Sequence, residues 1–262
     1  MADQAIFKRY EIKYLLNEDQ RKAVEDAMAP HMTTNEFSFS TVRNIYYDTD
    51  NYRLIRRSIE KPAYKEKLRV RSYSQAGDDD KVFVEIKKKY DKVVYKRRLS
   101  MKNAEAESWL MGDDSFKPEG QIANEIEYFL NFYKNLAPSV YLSYDREAYA
   151  GVEDSEFRIT FDHNIMARQS DMNLKYAPGG EQLIGEKETL MEIKTLGSLP
   201  LWMTHVMTEM GIVKTSFSKY GTAYRKMILP GQTAALRHYT ENLRLPKAAG
   251  AERLSQLVRA YN

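Results

Sequence analysis

Cysteine is absent from the 262 residues. That excludes disulfide bonds and thiolate sites and favours a reducing compartment. No run approaches the roughly 18 consecutive apolar residues of a membrane-spanning helix. The opening Met1-Ala2-Asp3-Gln4 has no basic segment followed by an apolar one, so no signal peptide is expected. No glycine-rich phosphate loop occurs, which argues against a P-loop or Rossmann site. The four histidines, His31, His163, His205 and His238, are scattered and read as surface or core residues. One sign of charge is scarcely in excess, with a net charge of +3. No internal repeat and no interdomain linker is visible. Hydrophobic residues make up 43% of the chain, enough for a substantial core.

What is present is charge sorted by position. Taken two residues at a time, Lys65 to Arg71 places Lys65, Lys67, Arg69 and Arg71 on one side. Val82, Val84 and Ile86 alternate with Glu85 and Lys87, and Lys96 shares a side with Arg98. Alternation at period two is the pattern of a strand with two unlike faces. The same one-sided charge recurs in Ile6 to Leu16 (Arg9, Glu11, Lys13), Val140 to Tyr149 (Leu142, Tyr144, Arg146), Glu156 to Asp162 (Glu156, Arg158, Thr160, Asp162) and Leu190 to Thr195 (Glu192, Lys194). Val42 to Thr49 sets Asn44, Tyr46 and Asp48 against Ile45 and Tyr47. On the polar faces the cations, Lys89 among them, outnumber the acids about two to one. A surface charged only for solubility would mix the signs.

Helical spacing appears from Asn17 or Glu18 to Met28 before Pro30, at Asn51–Ser58, Asn103–Met111, Gln121–Lys134, Pro200–Met210 and Lys219–Ile228. Residues 170–187 read as a loop around Pro178-Gly179-Gly180, and 232–262 as a helical tail. Trp109, Trp202, Met203, Met207 and Met210 read as helix core. Arg53, Arg56 and Arg57 read as a solvated helix face, and Lys88 and Arg97, on the opposite sides of their strands, as solvated. The domain division expected is 1–230 for the strand-rich unit and 231–262 for the tail.

About eight two-faced strands interleaved with amphipathic helices point to an α+β protein built on a closed, eight-stranded antiparallel β-barrel. If helices pack on the outside, the apolar faces meet them and the cations line a tunnel. An outer-membrane barrel shares the alternation, but the missing leader and the many helices argue against it. Like charges facing one another repel. The arrangement makes sense if a polyanion fills the lumen and several phosphates are neutralised at once. The few carboxylates among the cations suit Mg²⁺ or Mn²⁺, which take oxygen ligands and substrate phosphates. Basic, aromatic-rich strands could also bind nucleic acid, but acids among the cations and the modest net charge argue against it.

Several segments together resemble the CYTH, or triphosphate tunnel metalloenzyme, superfamily. They are Arg9-Tyr10-Glu11-Ile12-Lys13, Tyr46-Tyr47-Asp48-Thr49, Leu68-Arg69-Val70-Arg71, Glu85-Ile86-Lys87, Glu192-Ile193-Lys194 and Ser218-Lys219-Tyr220. Tyr144-Asp145-Arg146 and Arg158-Ile159-Thr160-Phe161-Asp162 narrow the resemblance to the VTC domain of polyphosphate polymerases, over about residues 6 to 229. That resemblance implies an eight-stranded tunnel and transfer of the ATP γ-phosphate to a growing inorganic polyphosphate chain, with Mn²⁺ or Mg²⁺. It implies phosphate-binding or catalytic roles for Lys13, Arg69, Arg71, Lys87, Arg98, Arg146 and Lys219, with Tyr144 and Ser218 as hydrogen-bonding neighbours and Glu192 as metal ligand. The shared polar faces add Lys96, Arg158 and Lys194 to the phosphate set, and Glu85 and Glu11 to the metal set. Arg9 stands where the first glutamate of the opening motif is expected, which favours a polymerase over a two-metal hydrolase. Ser216 stands where a further lysine is expected. A triphosphatase of the same superfamily and a non-catalytic polyanion-binding module are the alternatives. The expected partners are ATP and polyphosphate, without nucleic acid. The expected location is cytoplasmic, with a membrane partner left open because the chain has no membrane segment of its own.

Overall fold

Asn17 shows how locally the first turn is written. Its side chain accepts from the Gln20 backbone N–H at 2.9 Å, and the Gln20 side chain accepts from the Asn17 N–H at 3.1 Å. This reciprocal cap satisfies two orphan donors, and Glu18 and Asp19 add negative charge at the positive end of the helix dipole. The computed structural model describes residues 10–91, 93–113 and 115–233. Within them the strands are β1 (Tyr10–Leu16), β2 (Met32–Thr33), β3 (Phe39–Asp48), β4 (Tyr64–Ser72), β5 (Lys81–Tyr90), β6 (Val93–Lys102), β7 (Ala137–Gly151), β8 (Arg158–Arg168), β9 (Glu181–Gln182), β10 (Thr189–Thr195) and β11 (Lys214–Thr215). The helices are α1 (Glu18–Met28), α2 (Arg53–Ile59), α3 (Asn103–Leu110), α4 (Gln121–Tyr133), α5 (Leu201–Glu209) and α6 (Lys219–Ala223), the last running into a π-helical turn at Tyr224–Ile228.

All strand pairings are antiparallel, in the order β11-β1-β10-β8-β7-β3-β4-β5-β6, with β2 added to β7 and β9 to β8. The closed eight-stranded barrel expected from the alternation is not formed. The sheet has eleven strands and two free ends. At one end β1 is paired on its outer side only by the two residues of β11, Lys13 with Thr215 and Tyr14 with Lys214. At the other, β6 pairs with β5, and no ladder joins it to β1 or β11 among the described residues. The sheet nevertheless curls strongly. Lys87 on β5 comes within 3.4 Å of Glu11 on β1, although five strands separate the two in the sheet. Period-two charge reports which face a residue occupies, and an open curled sheet has the same two faces as a barrel.

The convex face carries the apolar side of each strand. Leu68, Val70, Val84 and Ile86 pack under α3 and α4 with Trp109, Ile126 and Phe129. Tyr14, Leu16, Ile159, Phe161 and Ile193 pack under α1 and α5 with Val24 and Met203. Not every helix lies outside, as the barrel expectation had it. The segment of α6 and the π-helical turn enters the concavity, where Tyr220, Ala223 and Tyr224 pack against Val42, Tyr46, Leu142, Ile165 and Leu190. Asp48 anchors this plug. Its carboxylate accepts the backbone N–H groups of Thr49, Leu54 and Ile55, capping α2, and the Tyr220 hydroxyl at 2.8 Å.

Residues 1–9, including Arg9, together with Lys92 and His238, lie outside the described residues, as does the helical tail expected beyond residue 233.

Candidate functional site

Cross-strand register builds the charged part of the concave face directly. Arg69 stands opposite Glu85, and Glu85 opposite Arg98. Arg146 stands opposite Asp162, and Lys13 opposite Glu192. Opposed side chains on one face lie close enough to pair, so each carboxylate has a cation opposite it on one neighbouring strand, and Glu85 on both.

Glu85 collects the largest set. Arg69 approaches its Oε2 at 2.6–2.7 Å, Arg98 its Oε1 at 2.5–2.6 Å, Lys96 its Oε1 at 2.9 Å and Arg71 its Oε2 at 3.9 Å. Burial would raise this carboxyl, but Arg69, Arg71 and Lys96 outweigh it and hold the group well below the usual carboxylate range. Asp162, fully buried, takes both Nε and a terminal nitrogen of Arg146 at 2.6 and 2.7 Å and the Lys219 ammonium from α6. Against burial, Lys219 and Arg146 bring it down to about 2. Glu192 receives Lys194 at 2.9 Å and Lys13 at 3.4 Å. Despite its burial these lysines hold it, too, well below the usual range.

Tyrosines link the clusters. Arg71 donates to Asn44 Oδ1 at 2.9 Å and to the Tyr144 hydroxyl at 3.2 Å. Lys219 and Arg146 lie over the Tyr144 ring, 4.2 and 5.1 Å from its centroid. Arg69 donates to the Tyr46 hydroxyl at 3.1 Å, and Tyr46 stacks on Tyr220 at 4.7 Å. Burial alone would raise the Tyr46 phenol, yet Arg69, Lys67 and Arg71 bring it down to about 7. Lys67 is pushed down to about 8, first by burial and then by Lys65, Lys13 and Lys87, against the pull of Tyr46. Its ammonium reaches the Ser218 hydroxyl at 3.4 Å, and Lys13 reaches the Phe217 carbonyl at 3.4 Å. Ser218 also caps α6, accepting from the Gly221 N–H.

The concave face thus gathers Lys13, Arg69, Arg71, Lys87, Lys96, Arg98, Tyr144, Arg146, Lys194, Ser218 and Lys219 into one linked set, with Glu11, Glu85 and Glu192 among them. Arg158 is left at the rim, where it bonds to the Ser155 carbonyl and to Glu156. Lys88 and Arg97 lie on the convex face, as alternation requires, but are not simply solvated: both reach Glu125 of α4, at 3.9 and 3.4 Å. Arg53 packs over the rings of Phe132 and Tyr133. Lys67, Tyr46 and Asp162 were not among the expected site residues. Each lies on a face already identified as polar, but its role follows from burial and from neighbours distant in sequence.

Among the described residues no group of three or more His, Asp or Glu converges as a metal site. The three candidate metal ligands are separate: Glu85 is taken up by cations, Glu11 pairs with Lys87, and Glu192 has two lysine partners. A Mg²⁺ or Mn²⁺ ion held by one or two carboxylates and completed by substrate phosphate oxygens and water is the arrangement such ions favour around nucleotides. Glu192, with Lys13 and Lys194 as ion-pair partners, could offer such an ion one protein carboxylate at most.

The VTC domain matches residues 8–228 of the chain. Vacuolar transporter chaperone complex subunit 4 of Trypanosoma brucei brucei is 23% identical over 215 residues, 65% of this chain and 27% of that protein. The chain therefore spans about a quarter of the length of that relative. Among solved structures, one described as an adenylate cyclase from Bacillus halodurans superposes with a TM-score of 0.50 at 16% identity, covering 79% of this chain and 92% of the other. Another, a Hippeastrum protein described as an adenylyl cyclase with a dominant triphosphatase activity, gives 0.47 at 14% identity over 83% and 95% of the two chains. Among the described residues no helix is long and apolar enough to cross a membrane.

Proposed function

The chain belongs to the VTC-domain family, and we propose that it is a polyphosphate polymerase that moves the γ-phosphate of ATP onto the end of an inorganic polyphosphate chain. One observation carries this reading: cations from β1, β4, β5, β6, β7, β10 and α6 converge on one face, while the carboxylates Glu85, Asp162 and Glu192 among them are ion-paired and held acidic. Phosphoryl transfer needs positioned phosphates and fixed positive charge where negative charge develops. A terminal phosphate oxygen of the acceptor chain is already anionic. It can attack the γ-phosphorus without a base, as the bond to the β–γ bridging oxygen breaks and ADP leaves. Water as acceptor would have to lose a proton, and these acidic carboxylates are poor bases for that step.

Arg69, Arg71, Arg98, Arg146, Lys13, Lys87, Lys96, Lys194 and Lys219 bind and neutralise the phosphates. Tyr144 and Ser218 position Arg71, Lys219 and Lys67. Glu192 would hold a divalent ion, which would supply charge neutralisation on the phosphates. Glu85 and Glu11 act as ion-pair partners that orient arginine and lysine. Arg158, at the rim, meets the chain only as it enters or leaves. A multi-subunit complex, as in the relative's printed name, is the setting proposed for this protein.

Incubation with ATP and Mn²⁺ or Mg²⁺ tests the reading. Long phosphate chains plus ADP are expected. ADP with free phosphate and no phosphate chains would assign a triphosphatase, and no turnover would leave a binding module. In the same assay Glu192→Gln, which keeps shape and removes charge, is expected to abolish metal-dependent turnover while nucleotide binding is partly retained. Near wild-type turnover in that variant would remove Glu192 from the metal site.

The Tyr46 phenol gives a pH signature. Titrating at about 7 in the free protein, it carries negative charge above that pH, beside Lys67 and Arg69. A bound polyanion disfavours that charge and raises the phenol, so binding takes up a proton and affinity is lost as pH rises through 7. Tyr46→Phe removes this loss. The ratio of wild-type to variant Kd for tripolyphosphate cancels the ligand's own titration. It should rise between pH 6 and pH 8, as the pH passes the free-protein value. A ratio that does not change with pH would mean that Tyr46 stays protonated throughout.

A further inference from the structure

We infer that Tyr73 and Phe83 form a stacking platform for the nucleobase of a nucleoside triphosphate, at the rim of the concave face. The inference rests on the proposed use of a nucleotide donor and adds where its base is held. Phe83 on β5 faces Arg71 on β4 and Ser100 on β6. Tyr73 follows the end of β4 by one residue and returns to the side of Arg71. The two rings meet edge to face, with centroids 5.7 Å apart and planes at 72°.

The same guanidinium groups serve both the rings and the interior of the site. Arg98 lies 4.5 Å from the Phe83 centroid, donates to the Tyr73 hydroxyl at 2.9 Å, and is paired with Glu85. Arg71 lies 5.9 Å from the Tyr73 centroid and donates inward to Tyr144. A chain of cations and rings therefore runs from the rim to the buried phosphate ligands, as a nucleotide spans from base to γ-phosphate. Tyr46, Tyr144 and Tyr220 are at most 8% exposed and already packed, whereas Tyr73 is 39% exposed and can receive another ring. Aromatic side chains stack on any base, because every base has a π-face, and a guanidinium behind the ring adds a cation–π contribution. The far end of the same strands is built differently. There Lys61, Lys65, Lys87 and Lys89 crowd together, and burial followed by their repulsion lowers the Lys65 ammonium. That end suits phosphate.

The test compares ATP with inorganic tripolyphosphate, which has the phosphates and no base. Binding of each is measured by calorimetry without divalent metal, on the full chain. Tyr73→Ala is expected to weaken ATP about tenfold, within the range that one base–aromatic stack accounts for, and tripolyphosphate less than threefold. Tyr73→Phe, which keeps the ring and loses the hydroxyl bonded to Arg98, should stay within threefold of wild type for both ligands. Unchanged ATP binding in Tyr73→Ala would overturn the platform. So would equal losses for both ligands, since Tyr73 would then act only by holding Arg98. If Tyr73→Ala does not fold, the fluorescent analogue 1,N6-etheno-ATP on the wild-type protein decides the matter: stacking quenches and immobilises the base, and a bound but freely rotating, unquenched base refutes the platform. A wild-type protein that binds tripolyphosphate but holds ATP no more tightly also refutes it, while one that binds neither ligand sinks the polyanion reading of the whole face.

Discussion

Glu85→Gln is expected to destabilise the ligand-free protein by about 3–5 kcal/mol, the usual cost of removing one partner from a buried ion pair. The side chain is 2% exposed and is approached by Arg69, Arg71, Lys96 and Arg98. Glutamine keeps the volume but leaves four cations facing one another with no counter-charge. For a protein of this size that corresponds to a fall in Tm of roughly 6–20 °C, at about 2–4 °C per kcal/mol. Tripolyphosphate, which binds the folded state, should recover much of the loss by mass action, and the recovery should shrink with added salt. Thermal unfolding of both proteins at low ionic strength, with and without tripolyphosphate, measures all of this. A variant that melts with the wild type in the absence of ligand would mean that the four cations do not converge on Glu85.

Loss of Arg71 or Arg98 is expected to reduce kcat/KM for ATP at least tenfold, whereas loss of the neighbouring Arg97 should change it less than about threefold. A charge-assisted hydrogen bond to phosphate contributes roughly 1.5–3 kcal/mol, or about 10- to 150-fold in transition-state stabilisation. Arg98 points into the concave face and touches Glu85 and Tyr73. Arg97 points to the convex face and meets Glu125 of α4 in a half-exposed pair, where a salt bridge contributes little. Steady-state turnover of Arg71→Ala, Arg98→Ala and Arg97→Ala, with folding checked by melting, separates the faces. Equal losses at Arg97 and Arg98 would show that β6 does not present alternate residues to opposite sides, and the site assembled from that alternation would fall.

Much of the site could be read before any fold was known. Arg69 and Arg71 share a side because they are two apart, and Arg97 and Arg98 do not because they are adjacent. Backbone geometry enforces that within a single strand. The cap at Asn17 is equally local. Other assignments needed neighbours far along the chain. Glu85 looked like a metal ligand because it is an acid on a cationic face; the antiparallel register with β4 and β6 surrounds it with guanidinium and ammonium groups. Asp48 carries no phosphate-site role that its contacts would support. It caps α2 and holds Tyr220 inside the concavity.

By itself the sequence determined which residues face together, because strand periodicity is a property of one segment, and it marked the family, because the motifs follow one another in order. Only the tertiary structure decided that the sheet stays open. Closure depends on backbone N–H and C=O groups of β6 finding those of β1 or β11, and backbone groups are the same whatever side chains they carry. It also decided that α6 fills the interior, and that the Lys67 ammonium and the Tyr46 phenol are brought below their ordinary values, since burial and the number of nearby charges exist only once the strands have come together.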